Sequence, residues 1–225
     1  MSSEVKAVFE SVVAGDKTAA VSAVQAALAG GAPVALILSQ GLIAGMAAVG
    51  ERFECGDYFV PDMLLAARAM QAGLDLLRPL LQQAHVQPAG RVLIGTVQGD
   101  LHEIGKNLVV MMLEGAGYAV TDLGVDVAPE RFVEAVRDSP PDVLAMSALL
   151  STTILGMKRT VEALQAAGLR GQVKVIVGGA PVTEEYARLV GADGYAADAS
   201  QAAALVQSLM SQQSGLPPVM APSTR

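Results

Sequence analysis

The sequence predicts an α + α/β protein, an N-terminal four-helix bundle followed by a doubly wound, parallel five-stranded sheet. Three observations carry this. Up to about Gln83, apolar residues recur with helical period and strand signal is scarce. Pro and Gly then break the pattern at Ala84-His-Val-Gln-Pro-Ala-Gly90. Beyond Gly90, short apolar runs alternate with helical stretches, the alternation that specifies parallel βαβ units.

Each element has a local reason. Glu4 to Val13 is amphipathic, and Gly15-Asp16 ends it; Asp16 then caps a second helix through Leu28, which Gly30-Gly31 terminates. A third helix is expected from about Pro33 to Phe53. After the turn Cys55-Gly-Asp-Tyr58, Pro61 suits the first turn of a fourth, reaching Leu81. Helices joined by such short loops make an antiparallel bundle over residues 1–83. Residues 84–90 are the expected linker, 91–213 the α/β domain, and 214–225, with Pro217, Pro218 and Pro222, a disordered tail. Strands are expected at Arg91–Val97, Tyr118–Asp122, Val143–Met146, Val173–Val177 and Gly194–Ala196. Helices are expected at Gly105–Gly115, Pro129–Asp138, Thr153–Ala167, Thr183–Leu189 and Ser200–Gln212, giving a Rossmann/flavodoxin-like order of elements.

Composition narrows the function. Of 225 residues 52% are apolar but only 4% aromatic, so small aliphatic side chains must build the cores. A net charge of −7 without a Lys/Arg cluster argues against nucleic acid as a partner. One cysteine, Cys55, excludes internal disulfides and thiolate metal clusters and fits a reducing cytoplasm. The start, Met1-Ser-Ser-Glu-Val-Lys6, has no signal-peptide pattern, and charge or Gly is expected to interrupt every apolar run before it spans a membrane. No paired carboxylates and no Ser/His/Asp or Cys/His arrangement supports hydrolysis.

The chemistry lies in Gly99-Asp100-Leu101-His102-Glu103-Ile104-Gly105-Lys106-Asn107, directly after the first strand. His102 is one of two histidines, and Asp100 is placed to accept its second ring N–H and fix the tautomer. The loop reads as a metal seat at the carboxyl end of a strand, where open α/β sheets bind ligands. A P-loop is excluded because Asp100 stands where its first glycine belongs and Asn107 follows the lysine. Gly95, Gly99 and Gly105 miss the dinucleotide spacing as well. One histidine alone is an incomplete site for a free zinc ion, and a strand-to-helix turn with an Asp cap explains the bare loop equally well.

Asp100-x-His102-x-x-Gly105 resembles the signature of cobalamin-binding domains, and the surrounding loop is similar to the corrinoid proteins of methyltransferase systems, of methylamine, methanol or methoxyaryl type. Ser147-Ala-Leu149-Leu-Ser151 resembles a second motif of that family, S-x-L-x-T, and Gly178-Gly179-Ala180-Pro181 a third. Glu103 and Ser151 depart from the usual Asp and Thr but keep the chemical type. The resemblance extends to the amino-terminal helices and to the cobalamin-binding region of cobalamin-dependent methionine synthase.

The resemblance implies a cobalamin held with its own base detached and His102 as lower axial ligand to cobalt. It further implies a relay Ser147–Asp100–His102, and cofactor contacts from Gly99, Asp100, His102, Glu103, Ile104, Gly105, Ser147, Leu149, Ser151, Gly178, Gly179 and Ala180. The bundle becomes a cap over the methyl-bearing face, with Met63 and Leu64 as contacts and Met70, Phe59 and Val60 as further candidates; taken position by position, each reads better as bundle core. His85, Glu114, Asp122 and Asp126 read as exposed or turn positions.

The implied activity is methyl carriage, with cobalt cycling between Co(I) and methyl-Co(III). The implied partners are a substrate:corrinoid methyltransferase, a corrinoid:acceptor methyltransferase and a reductive activation protein. The cap would open about the 84–90 linker to admit them. The rivals are a cobalamin-sensing regulatory module, for which no output domain is visible, and the cobalamin subunit of a radical mutase, which needs no helical cap. An Ala-rich bundle with an apolar third helix can pair with itself, so a homodimer is one state it allows.

Overall fold

The computed structural model describes residues 2–84 and 86–214, with side chains through Gln212. His85 and the tail prolines lie outside the described residues.

Two compact units emerge. One comprises Met1–Arg91 with Asn107–Val120, the other Val92–Lys106 with the chain from Thr121 onward. In the first, α1 (Ser3–Val13) and α2 (Lys17–Ala29) are joined by a turn in which Asp16 Oδ1 accepts from Ala19 N at 2.9 Å. α3 (Val34–Leu36) and α4 (Ala44–Glu54) continue into one another through a π-helical stretch, Ile37–Ile43, where the sequence had suggested an uninterrupted α-helix. Close approach explains the glycines here. A Cβ on Gly41 would lie 2.8 Å from Val8 Cγ1, and one on Gly45 2.8 Å from Val12 Cβ.

By length and composition Val34–Glu54 could cross a membrane, so the expectation that every such run is interrupted needs correcting. Ile37, Leu42, Met46 and Val49 in this helix are buried, which accounts for its apolarity as bundle core. α5 (Val60–Gln83) starts with Phe59 N donating to Asp62 Oδ2 at 2.8 Å and with Pro61 in its first turn. Backbone bonds tie Ala89 and Gly90 to residues 117–119. Ala89 N donates to Gly117 O, and Ala119 N to Gly90 O, both at 2.9 Å.

The sheet has strand order β2-β1-β3-β4-β5. Its members are β1 (Arg91–Thr96), β2 (Ala119–Asp122), β3 (Val143–Ser147), β4 (Lys174–Gly178) and β5 (Gly194–Ala196). β1, β3, β4 and β5 pair in parallel, with Thr96, Ser147 and Gly178 in register at one edge. The connecting helices are α6 (Ile104–Gly115), α7 (Pro129–Asp138), α8 (Leu155–Ala166), α9 (Glu184–Val190) and α10 (Ala199–Ser214). Phe132, Val136, Leu144, Met146, Met157 and Val177 build the core of the second unit. Gly95 belongs in β1 because a Cβ there would sit 2.9 Å from the Phe132 ring. The chain order reverses between β1 and β3, the switch point at which such sheets leave a crevice for ligands.

Candidate functional site

The loops leaving β1 and β3 meet at Asp100. Gly99 turns the chain at φ +83°, and Asp100 is driven inward until none of its side chain is exposed. Burial of a carboxylate is costly unless its oxygens find donors. Asp100 Oδ1 lies 2.7 Å from His102 Nδ1 and accepts from His102 N at 3.1 Å. Oδ2 accepts from Leu149 N at 2.7 Å, Leu150 N at 3.3 Å and Thr153 Oγ1 at 2.7 Å. Burial pushes the Asp100 carboxyl up, but the Thr153 hydroxyl, the Leu149 and His102 amides and the His102 ring outweigh it. They hold the group well below the usual carboxylate range.

An ionised carboxylate only accepts, so the neutral imidazole must donate from Nδ1 and carry its lone pair on Nε2. The His102 side chain is 49% exposed, which leaves Nε2 accessible as a metal donor. Among the described residues no group of three or more His, Cys, Asp or Glu could hold a metal ion. A lone oriented imidazole suits a metal that arrives with its equatorial ligands already in place, as in a macrocycle. The loops meeting at Asp100 also carry exposed Leu101, Ile104, Leu149 and Leu150, apolar surface suited to the rim of a large, flat ring.

Comparison with known proteins decides which macrocycle. Residues 90–204 match a B12 binding domain family, and residues 5–78 match a second family of the same description. Trimethylamine corrinoid protein 1 of Methanosarcina mazei is 43% identical over 197 residues, which is 87% of this chain and 91% of that protein. This chain belongs to the corrinoid proteins of methyltransferase systems. Two solved structures agree. A cobalamin-binding protein from Desulfitobacterium hafniense DCB-2 superposes with TM-score 0.76 at 33% identity, covering 91% of this chain and 98% of that one. A chain of the methanol:cobalamin methyltransferase complex MtaBC from Methanosarcina barkeri superposes with TM-score 0.82 at 26% identity, covering 92% and 80%. The cofactor of this corrinoid protein is therefore cobalamin.

Several residues sit differently from expectation. The hydroxyl on Asp100 belongs to Thr153, not Ser147. Ser147 ends β3, half-buried in the ladder, its carbonyl accepting from Val97 N, whereas residues 148–154 fold back and return Thr153 to the carboxylate. The helix expected from Thr153 begins at Leu155, which frees Thr153 for that bond. Ser151 is exposed, as are Glu103 and Gly105, while Leu149 contributes its backbone N–H to Asp100.

The glycine pair has a structural cause of its own. A Cβ on Gly179, at φ +125°, would fall 1.9 Å from Ala148 O, and one on Gly178 2.7 Å from Ala196 O. Neighbouring backbone occupies the space that a side chain at either position would need. In the helical unit Met63 and Met70 are buried, Leu64 is half-buried, and Phe59 is 66% exposed and Val60 exposed.

Several side chains play parts that the sequence did not assign to them, Glu114, Asp122 and Asp126 among them. Lys106 is buried and paired with Asp122, whose other oxygen accepts from Gly124 N at 2.9 Å. Asp126 accepts from Gly99 N, and Thr96 reaches the His102 carbonyl. Glu114 lines a cleft of about 350 Å³ in the helical unit with Arg68, Met70 and Met111. Burial raises its carboxyl, Arg78 lowers it and Asp75 raises it again, for a net upward shift. None of these forms a motif, and only the Thr-Thr pair at 152–153 signalled the Thr153 hydroxyl.

Proposed function

We propose that this corrinoid protein carries a methyl group from a substrate-specific methyltransferase to an acceptor methyltransferase, with His102 Nε2 as the lower axial ligand. The observation that carries the reading is the 2.7 Å contact between His102 Nδ1 and the buried Asp100, which leaves the opposite nitrogen available to ligate a metal. Bound cobalamin would supply the cobalt that receives the methyl group from one partner and gives it up to the other. The residues do the rest. Asp100 strengthens Nε2 as a donor by accepting the Nδ1 proton, and Thr153 with the Leu149 amide keeps that carboxylate ionised. Nε2 cannot hold a proton and a metal together, so proton uptake there competes with ligation.

The wider assignment rests on the relatives. We assign residues 1–83 as the cap that excludes water from the methyl-bearing face, with Met63 and Leu64 as candidate contacts, and 91–213 as the cofactor-holding domain. The 84–90 linker joins them. A reductive activation protein would restore Co(I), and the setting is the cytoplasm, as monomer or homodimer. Identity of 43% with a trimethylamine corrinoid protein supports a methylated amine as donor.

The test loads the protein with cobalamin, reduces it, and adds a trimethylamine methyltransferase with trimethylamine. Conversion to the methylated form, slowed at least about tenfold in His102→Ala (about 1.4 kcal/mol), is expected. Wild-type rates in that variant would overturn the role of His102. No methylation with trimethylamine, dimethylamine or monomethylamine systems would overturn the donor class.

A further inference from the structure

The loop bearing Asp100 and His102 is held by hydrogen bonds from residues 122–127. Asp126 stands at φ +53°, the one non-glycine residue among those described with a positive φ. Its Oδ1 accepts from Gly99 N at 2.7 Å, and its own N donates to Asp100 O at 3.0 Å. It thus holds the peptide on each side of the turn that drives Asp100 inward. Thr96, fully buried, donates its hydroxyl to His102 O at 2.9 Å. Backbone bonds lock Thr96 to the same segment, Thr96 N to Gly124 O and Val127 N to Thr96 O, each at 2.9 Å. Beyond His102, Lys106 is paired with Asp122.

We propose that Asp126, assisted by Thr96, is a positioning residue for His102. By fixing Gly99 and the Asp100 carbonyl it sets the Asp100 carboxylate against Nδ1, and so selects the tautomer that leaves Nε2 bare. The proposal rests on the reading of His102 as axial ligand. The residue type fits the task. Asp and Asn tolerate the left-handed region better than other side chains, and both offer an Oδ1 acceptor; Gly supplies the backbone freedom without the acceptor. An Asp that served the turn alone would be replaceable by Gly without consequence for the His102 ring.

Nitrogen NMR of the apo protein at pH 8 reads this directly, because the sequence contains two histidines, His85 and His102. Wild type and Asp126→Asn should show the His102 ring in one tautomer, protonated at Nδ1. Asp126→Gly and Thr96→Val should shift it toward a mixture, lowering the bare-Nε2 fraction at least twofold. With Co(II) cobalamin bound, the fraction whose EPR spectrum shows axial nitrogen coupling should fall at least threefold in Asp126→Gly and recover in Asp126→Asn. Wild-type tautomer and coupling in Asp126→Gly would overturn the proposal, whatever its thermal stability. Absence of nitrogen coupling in wild type would overturn the axial-ligand reading instead, and the apo NMR would still decide what Asp126 controls. Should Asp126→Gly fail to fold, Thr96→Val decides the matter, since it leaves the turn intact; an unchanged ring in that variant contradicts the proposal.

Discussion

A carboxylate without exposed surface stays ionised at Asp100 because every lone pair it offers meets a donor from the loops after β1 and β3. Its lowered pKa fixes the sign of an acid effect. In the unfolded chain Asp titrates near about 3.9, so the stability this group contributes is complete above about pH 4 and disappears as pH falls further toward its depressed native value. Urea unfolding of the apo protein should therefore show a stability loss below about pH 4 that Asp100→Asn, already destabilised, lacks. The donors can be ranked too. Thr153→Val removes a hydroxyl from a buried charge and should cost about 1.5–3 kcal/mol, whereas Ser147→Ala should cost less than about 0.5 kcal/mol. Equal costs would return the relay to Ser147. At this scale the sequence was legible where a short motif carries the geometry, as in Asp100-x-His102. It was illegible where a partner came from a loop refolding across 53 positions, as Thr153 does.

The elements were easier to read because their signals are local. Asp16 capping α2, Pro61 opening α5 and the strand–helix alternation after Gly90 all depend on neighbours within a few residues. The π-helical stretch at Ile37–Ile43 was invisible, since it answers to packing against α1 and not to propensity. Glycine-dependent contacts allow a firm forecast. Gly179→Ala must displace the Ala148 carbonyl from a contact of 1.9 Å, and should lower stability by more than about 3 kcal/mol or prevent folding. Glu114 works in the opposite sense. Its raised pKa means that the charged form is disfavoured in the folded helical unit, so stability improves as pH falls and the group protonates. Glu114→Gln should then raise Tm at pH 7 by at most about 2–4 °C, with the gain vanishing near pH 4. A lower Tm at pH 7 would show that Glu114 makes a net favourable contact.

Across the whole molecule, compactness does not follow chain order. The stretch Asn107–Val120, expected within the sheet domain, groups with the amino-terminal helices. That division arises from side chains such as Met46 and Met70 closing on Gly115, contacts that no sequence pattern announces. The family itself was legible from three ordered motifs, and a B12 binding domain match over residues 90–204 agrees with them. Cofactor binding should be felt by the whole fold. At a cobalamin concentration 100 times its Kd, stability should rise by about 2.7 kcal/mol through linkage alone, read as a shift in the urea midpoint. The most direct test of the account is the visible absorption and Co(II) EPR spectrum of the cobalamin-loaded protein, wild type against His102→Ala. A base-off corrinoid with axial nitrogen coupling in wild type, retained but without that coupling in His102→Ala, is the predicted result. Identical coupling in the two proteins, or no corrinoid retained by wild type, would contradict it.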